Sequence, residues 1–352
     1  MKKKCLIFFT IGIGDSLMVT PVIEKIKDLD IYELEALTIS PQVTDIVQNS
    51  GFFSKVHFIN FLKDDMTKSL MSVLEVRKNR YDISILVFPS NNFRYQIVHF
   101  LIGAKKRFGI RYLERNFPNL NRLSGRLLKE NRSLHAIEQN FRLFEFALEK
   151  NLERSDKMTV KLIGKDRELA EEYIKNNSLS EKILIGIHAG SDTFKNMEKK
   201  RWGSKKYIEL IRSFSAYKNI HFILFGGKPE NELNDFICSE AEENCTVLKN
   251  VTFFHSAALI SRCSAFVCGD TGLMHTASAL QVPVIAIFGP TSPVYAAPLN
   301  EGSVVVKKNY PCVPCYEYSR TPLLCDQDEK YKCLEDISVE EITILLKSKL
   351  KM

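Results

Sequence analysis

Short apolar runs alternate along this chain with stretches of helical spacing. Cys5–Thr10, Leu34–Ser40, Lys55–Asn60 and Tyr81–Pro89 predict strands in the first half, with helices over Pro21–Lys27 and Met66–Arg77. A helix around Glu138–Glu149 closes this half, and the chain then turns polar from Asn151 to Lys182, with one charged helix around Asp166–Lys175. The rhythm restarts with strands at Ile183–His188, His221–Phe225, Thr246–Leu248, Ala265–Cys268 and Val284–Phe288. Helices fall over Lys205–Tyr217 and Glu232–Glu243, and Val339–Leu350 is a final amphipathic helix. Unbroken apolar strands between helices predict parallel sheets covered on both faces. The expected layout is a domain over 1–160, a second over 161–335 and a terminal helix over 336–352, with a ligand in the cleft between two doubly wound sheets.

The richest stretch runs from Ala265 to Thr291. A buried strand leads into Asp270-Thr271-Gly272, and a helix opens there with free N–H groups and the positive end of its dipole. That is a seat for phosphate. Asp270 adds a carboxylate for sugar hydroxyls, and His275 lies about one turn into the helix. The first strand similarly ends in Gly12-Ile13-Gly14-Asp15, with Thr20-Pro21 as an N-cap and first helical residue, or with the helix starting near Ser16. The third glycine of a dinucleotide fingerprint is missing, which argues against a nicotinamide site. Asp15 is read either as a turn cap or as a general base. A third strand ends in His188-Ala189-Gly190-Ser191, whose amides suit phosphate oxygens. Lys200-Arg201-Trp202 follows; Lys200 is read as a contact to a leaving diphosphate, Trp202 as a packing anchor and His188 as structural.

The chain of 352 residues carries a net charge of +7 and 45% hydrophobic residues, as a globular two-domain protein would. The charge excess is local. Lys105, Lys106, Arg107, Arg111, Arg115, Arg122, Arg126, Lys129 and Arg132 face only Glu114 and Glu130 between Ala104 and His135. This segment is read as a dock for a phosphorylated acceptor or an anionic membrane surface, ahead of a solvated helical face. Nucleic acid is not expected, because no aromatic platform accompanies the charge. The basic, apolar start resembles a signal peptide but lacks a cleavage pattern, so it is read as a first strand of a cytoplasmic protein. Nine cysteines, an odd number, suit a reducing compartment. Cys312, Cys315, Cys325 and Cys333 are read as packed or free thiols first, a zinc site second and disulfides third.

Gly14-Asp15 with Thr20-Pro21, Lys200-Arg201-Trp202, Asp270-Thr271-Gly272-Leu273 with His275, Ala277, Ala279 and Leu280, and Phe288-Gly289-Pro290-Thr291 together resemble the motifs of glycosyltransferase family 9, the ADP-heptose:lipopolysaccharide heptosyltransferases. The resemblance implies a GT-B fold of two Rossmann-like domains and inverting, metal-independent transfer without a cofactor. It implies a nucleotide-sugar donor, ADP-heptose first, and an anionic glycolipid or glycan acceptor at the inner face of the membrane. By this resemblance Asp15 is the catalytic base and Lys200 holds the donor phosphates. Asp270 holds the donor sugar, Thr271, Gly272 and Leu273 bind diphosphate, and His275 is the histidine of that motif. Gly190 and Ser191 border the donor, and Glu230 or Glu232 reaches its ribose. Gly14, Lys105, Lys106, Arg107 and Arg111 fall on the acceptor side. The final helix is expected to return to the first domain. The chain departs from the family at Gly203, where proline is usual, and in the lysine-rich loop Asp192–Lys199. A nucleotide-sugar epimerase and a non-catalytic nucleotide-sugar binding module are the alternatives.

Overall fold

The apolar runs become the centres of parallel strands. In the first half these are β1 (Lys3–Phe9), β2 (Tyr32–Thr38), β3 (Lys55–Phe58), β4 (Ile83–Leu86), β5 (Lys106–Arg111) and β6 (Arg126–Lys129). In the second they are β7 (Ile183–His188), β8 (Ile220–Leu224), β9 (Cys245–Val247), β10 (Ala265–Gly269), β11 (Val284–Ile287) and β12 (Val304–Val306). The computed structural model describes residues 2–61, 63–113, 123, 125–242, 244–316 and 322–352. The chain divides into two units, one ending at Lys161 and one beginning at Leu162.

The sheets are ordered β3-β2-β1-β4-β5-β6 and β12-β11-β10-β7-β8-β9, with every pairing parallel. Counted from each unit's own first strand, both follow the doubly wound dinucleotide-fold order, which reverses direction once. The reversal lies between β1 and β4, where Cys5 pairs with both Leu34 and Ile83, and between β7 and β10, where Val267 pairs with Ile187. Crossover helices cover both faces of the second sheet. Ile185, Ile187 and Val267 meet Tyr207, Ile211 and Ile237 on one side. Leu184, Phe266 and Cys268 meet Ile174, Leu259, Met274 and Ala277 on the other. Neighbouring residues of one strand thus feed opposite cores, which is why these strands are apolar throughout.

Three expectations are corrected. The basic segment is not a helical face: β5 and β6 lie within it. Phe108, Gly109 and Ile110 are buried, and the charges sit at the strand ends. Charged ends on a short edge strand such as β6 also discourage further pairing. Arg115, Arg122 and Glu114 lie outside the described residues, as does Glu243 at the end of one expected helix. The three-residue β12 had too little apolar signal to be read. Before Thr20 a short helix, Ile13–Leu17, already turns the chain; Thr20 is then helical, its hydroxyl donating to Leu17 O at 2.7 Å and accepting from Thr159 N at 2.9 Å. The helix Val339–Leu350 packs within the second unit. It buries Ile342 and Leu346 in the core of the second unit, against the helix Ser204–Arg212, because its apolar stripe completes that face.

Buried polar side chains anchor the strand ends. Glu35 in β2 is satisfied by Tyr81 OH at 2.6 Å and His57 Nε2 at 2.8 Å. Asn140, buried in the helix Ala136–Leu148, donates to Phe88 O at 3.1 Å and accepts from Phe88 N at 3.0 Å, fixing the turn that leaves β4. Replacing Asn140 by Leu keeps the branched outline but withdraws both bonds to Phe88 and the one to Ala136 O. We expect a loss of about 1–3 kcal/mol, read as a lower urea midpoint at unchanged slope. An unaltered midpoint would mean that the turn is held by other contacts.

Candidate functional site

In the second unit the strands diverge where β7 and β10 lie side by side. The chain leaves β7 for one face and β10 for the other, which opens the sheet at their C-terminal ends. Asp270 directly follows β10. Lys200 approaches from the loop after β7, placing its Nζ 3.2 Å from Asp270 Oδ2 while also donating to Asp270 O. Both side chains are mostly shielded from solvent. Burial works against a charged Asp270, but Lys200, then His275, then Thr291 outweigh it, and the carboxyl titrates below its ordinary range.

The helix Gly272–Ala279 starts at Thr271, and no side chain caps its first turn. Thr271 turns its hydroxyl away to His188 Nδ1, 2.9 Å distant. His188 Nε2 lies 3.0 Å from Glu230 Oε1, and Glu230 Oε2 accepts from Gly227 N at 2.7 Å. His188 therefore joins the ends of three strands, β7, β8 and β10. This is more than the structural role that its place at a strand end suggested. Burial raises the Glu230 carboxyl, and His188, Gly227 and Arg201 overcompensate, so it too titrates low. The backbone must leave room for this carboxylate: a Cβ built on Gly190 would stand 1.8 Å from Glu230 Oε1. Glu230 is thus the acid at the site, while Glu232 is exposed in the first turn of the next helix.

Ser191 braces the loop that bears Lys200. Its hydroxyl donates to Met197 O at 2.9 Å, and Arg201 donates to Ser191 Oγ at 3.1 Å and to Ser191 O at 2.6 Å. Lys195 and Asn196 in this loop adopt left-handed φ of 57° and 60°. A later segment holds them there: Leu323 N donates to Lys195 O at 2.8 Å, and Asn196 Nδ2 donates to Leu323 O at 3.3 Å. No sequence signal marked Asn196 or Leu323, because their pairing spans the whole unit. Trp202 is a packing anchor, buried with its indole N–H on Ile337 O at 2.9 Å. Leu273 packs on the core beneath the helix, and His275 is buried one turn in.

In the first unit Asp15 lies in the first turn of the helix Ile13–Leu17, just past the C-terminal end of β1, with Gly14 buried beside it. Thr10 and Ser90, after β1 and β4, share a hydrogen bond of 2.6 Å at the same edge. The expected acceptor cluster is not brought together there. Lys105 and Lys106 enter β5 at the opposite, N-terminal edge, where Lys105 pairs with Asp82 at 2.8 Å. Arg107 lies over the Phe100 ring at 5.1 Å and donates to Ala104 O at 3.3 Å. Only Arg111 ends β5 on the edge that Asp15 occupies. A strand rises roughly 3.3 Å per residue, so some 16 Å of β5 separate Lys106 from Arg111. Adjacency in sequence concealed this, since a strand carries its two ends to opposite rims.

All nine cysteines are free thiols. Cys5, Cys263 and Cys268 are core residues, and Cys238 and Cys245 are half-buried near one another. Cys312, Cys315, Cys325 and Cys333 line one cavity of about 230 Å³ with Pro290, Tyr310 and Tyr331. Among the described residues no three His, Cys, Asp or Glu side chains are arranged to hold a metal ion.

A family model described as glycosyltransferase family 9 (heptosyltransferase) matches residues 72–323, well over half of the chain, and the chain belongs to this family. Lipopolysaccharide heptosyltransferase 2 of Salmonella typhimurium (strain LT2) is 34% identical over 133 residues, which cover 36% of this chain and 37% of that protein. Its counterpart from Escherichia coli (strain K12) is 30% identical over 243 residues, 66% of each. The aligned parts span less than two-thirds of these relatives' own lengths. The solved structure of E. coli ADP-heptose LPS heptosyltransferase II matches with a TM-score of 0.73 at 19% identity, covering 99% of this chain and 98% of that one. At such identity the likeness speaks for the fold, which is the GT-B class.

The Lys200–Asp270 pair makes stability pH-dependent. Asp270 titrates lower in the folded chain than its ordinary 3.8, so its contribution is present above that pH and fades as pH falls through the folded value. Lys200→Met should cost roughly 3 kcal/mol at neutral pH. The gap from wild type should narrow once Asp270 is protonated. Urea titrations at neutral and acid pH test this; a gap of constant size would show that the ion pair is not its source.

Proposed function

We propose that the protein is a heptosyltransferase that moves a heptose from ADP-heptose to a hydroxyl of a lipopolysaccharide-core acceptor, with inversion and without a metal. The observation that carries this reading is the buried Lys200–Asp270 pair beside the uncapped start of the helix Gly272–Ala279. Family membership and the ADP-heptose-using fold relative support the choice of donor. Lys200 and the Gly272 and Leu273 amides would receive the diphosphate oxygens, so the charge that develops on departure meets preplaced positive ends. This is the electrostatic service that a divalent cation gives elsewhere. Asp270, kept ionised by Lys200, accepts hydrogen bonds from donor sugar hydroxyls. Glu230, kept ionised by His188, is placed for the ribose hydroxyls.

Asp15 takes the proton of the acceptor hydroxyl. That oxygen bonds to the anomeric carbon as the bond from this carbon to the phosphate oxygen breaks, and ADP leaves with the electron pair. Attack from the face opposite the leaving group inverts the centre. The acceptor is an anionic glycolipid or glycan, and the reaction belongs at the cytoplasmic face of the inner membrane. No helix among the described residues is long and apolar enough to cross a membrane.

Incubation with a panel of nucleotide sugars, with and without acceptor, tests the reading. Acceptor-dependent release of ADP from ADP-heptose is expected. A donor sugar altered without acceptor would instead make the protein an epimerase, and no turnover of any donor would leave a binding module. Turnover should survive EDTA, and its loss would overturn metal independence. Asp15→Ala should lower kcat by about 10²–10⁴-fold in a folded protein. Asp270→Ala should chiefly raise the donor KM, and unchanged donor kinetics would remove Asp270 from the site.

A further inference from the structure

The helix Met66–Arg77 is apolar on both sides. Ser69, Val73 and Val76 face inward. Facing out, Met66 is 87% exposed, Met71 64%, Leu70 44% and Leu74 39%. Met66, Leu70 and Leu74 recur at four-residue steps and form one stripe, with Met71 beside it. Lys68, Ser72 and Glu75 make up the polar flank of the helix, so the apolar stripe occupies one side of its outer surface. Single exposed apolar residues are common, but a continuous stripe marks a surface that something covers. The adjoining helix Phe93–Ile102 extends the patch with exposed Ile97 and Phe100.

Cations rim this patch at one end. Arg77 closes the helix and donates to Leu101 O at 3.0 Å, which ties the two helices together. The Arg107 guanidinium lies over Phe100, and Lys105 and Lys106 start β5 beside it. Lys78, Lys105 and Lys106 are exposed. Glu75 and Asp82 are each paired to one of these lysines, and Asp64 and Asp65 stand at the other end of the helix, where Asp64 pairs with Lys68. The three cations that stand away from Asp15's edge of the sheet therefore have a common setting: Lys105, Lys106 and Arg107 border an apolar helix face.

We propose that the outer face of the helix Met66–Arg77, with Ile97 and Phe100, rests on an anionic lipid bilayer. Its methionines and leucines enter the acyl boundary, and the rim cations meet headgroup phosphates. Charge complementarity selects a bilayer over a neutral protein partner. Lysine and arginine at the rim lay their apolar stems along the patch and extend their charges to the phosphates. The inference rests on the proposed function only for its purpose, which is to keep the protein where a lipid-linked acceptor lies.

Co-sedimentation of the full chain with vesicles tests it, with no donor or acceptor present, so the outcome is separate from that of the turnover assay. Wild type should bind vesicles of phosphatidylethanolamine with phosphatidylglycerol, bind phosphatidylcholine vesicles poorly, and lose affinity with added salt. Leu70→Glu with Met71→Glu should weaken binding at least about tenfold. Both positions face solvent, so the thermal melt and turnover of a water-soluble acceptor should be unchanged. Lys105→Glu with Lys106→Glu should weaken binding and flatten its salt dependence. The proposal fails if wild type does not bind anionic vesicles, or if the Leu70 and Met71 variant binds equally well. It also fails if light scattering finds a wild-type dimer that this variant converts to monomer, since the face would then be covered by a second copy.

Discussion

A carboxylate that leaves a buried strand end must find a cation or lose its charge, and much of the second unit is arranged around that requirement at Asp270. Lys200 meets it from the loop after β7. This works because the strand order reverses there, so that β7 and β10 are neighbours while their following helices pack on opposite faces of the sheet. The segment holding Lys200 is a kinked 3-10 helix, Phe194–Lys200, and needs its own support. Ser191 and Arg201 brace it from inside, and Leu323 fixes its two left-handed residues from the tail.

His188 plays the second organising part. By joining Thr271 on one side and Glu230 on the other, it links the helix start that would receive phosphate with the acid placed for a ribose. Occupying the Thr271 hydroxyl with His188 also keeps that side chain from folding back as a cap, which leaves the first-turn amides for a ligand. The close approach of Glu230 to Gly190 explains why the turn after β7 needs a residue without a side chain there. Three short sequence motifs thus depend on one another through a histidine that none of them marks as special.

The first unit repeats the topology with different contents. Its reversal point carries the Thr10 and Ser90 hydroxyls and the short helix of Asp15. Lys105 and Lys106 lie at the far rim, next to an apolar helix face. One parallel sheet can therefore present different chemistry at its two rims, because each strand delivers its ends to opposite sides.

Alternating apolar runs and helical spacing were enough to give two parallel α/β units, since strands buried on both faces leave a continuous apolar signature. Asp15 and Asp270 drew notice by lying just past strand ends, and Lys200 by the Lys-Arg-Trp run ahead of a helix. What the sequence misread was length and direction: β5 and β6 hid inside a basic run, because their apolar centres are only two or three residues long. The final helix showed its apolar stripe but not which core would take it. The partners of His188, the grip of Leu323 on the Lys200 loop and the parting of Lys106 from Arg111 were decided by tertiary structure alone. Each of these depends on which strands become neighbours, and hydrogen bonds and ion pairs between residues tens of positions apart leave no local pattern in the chain.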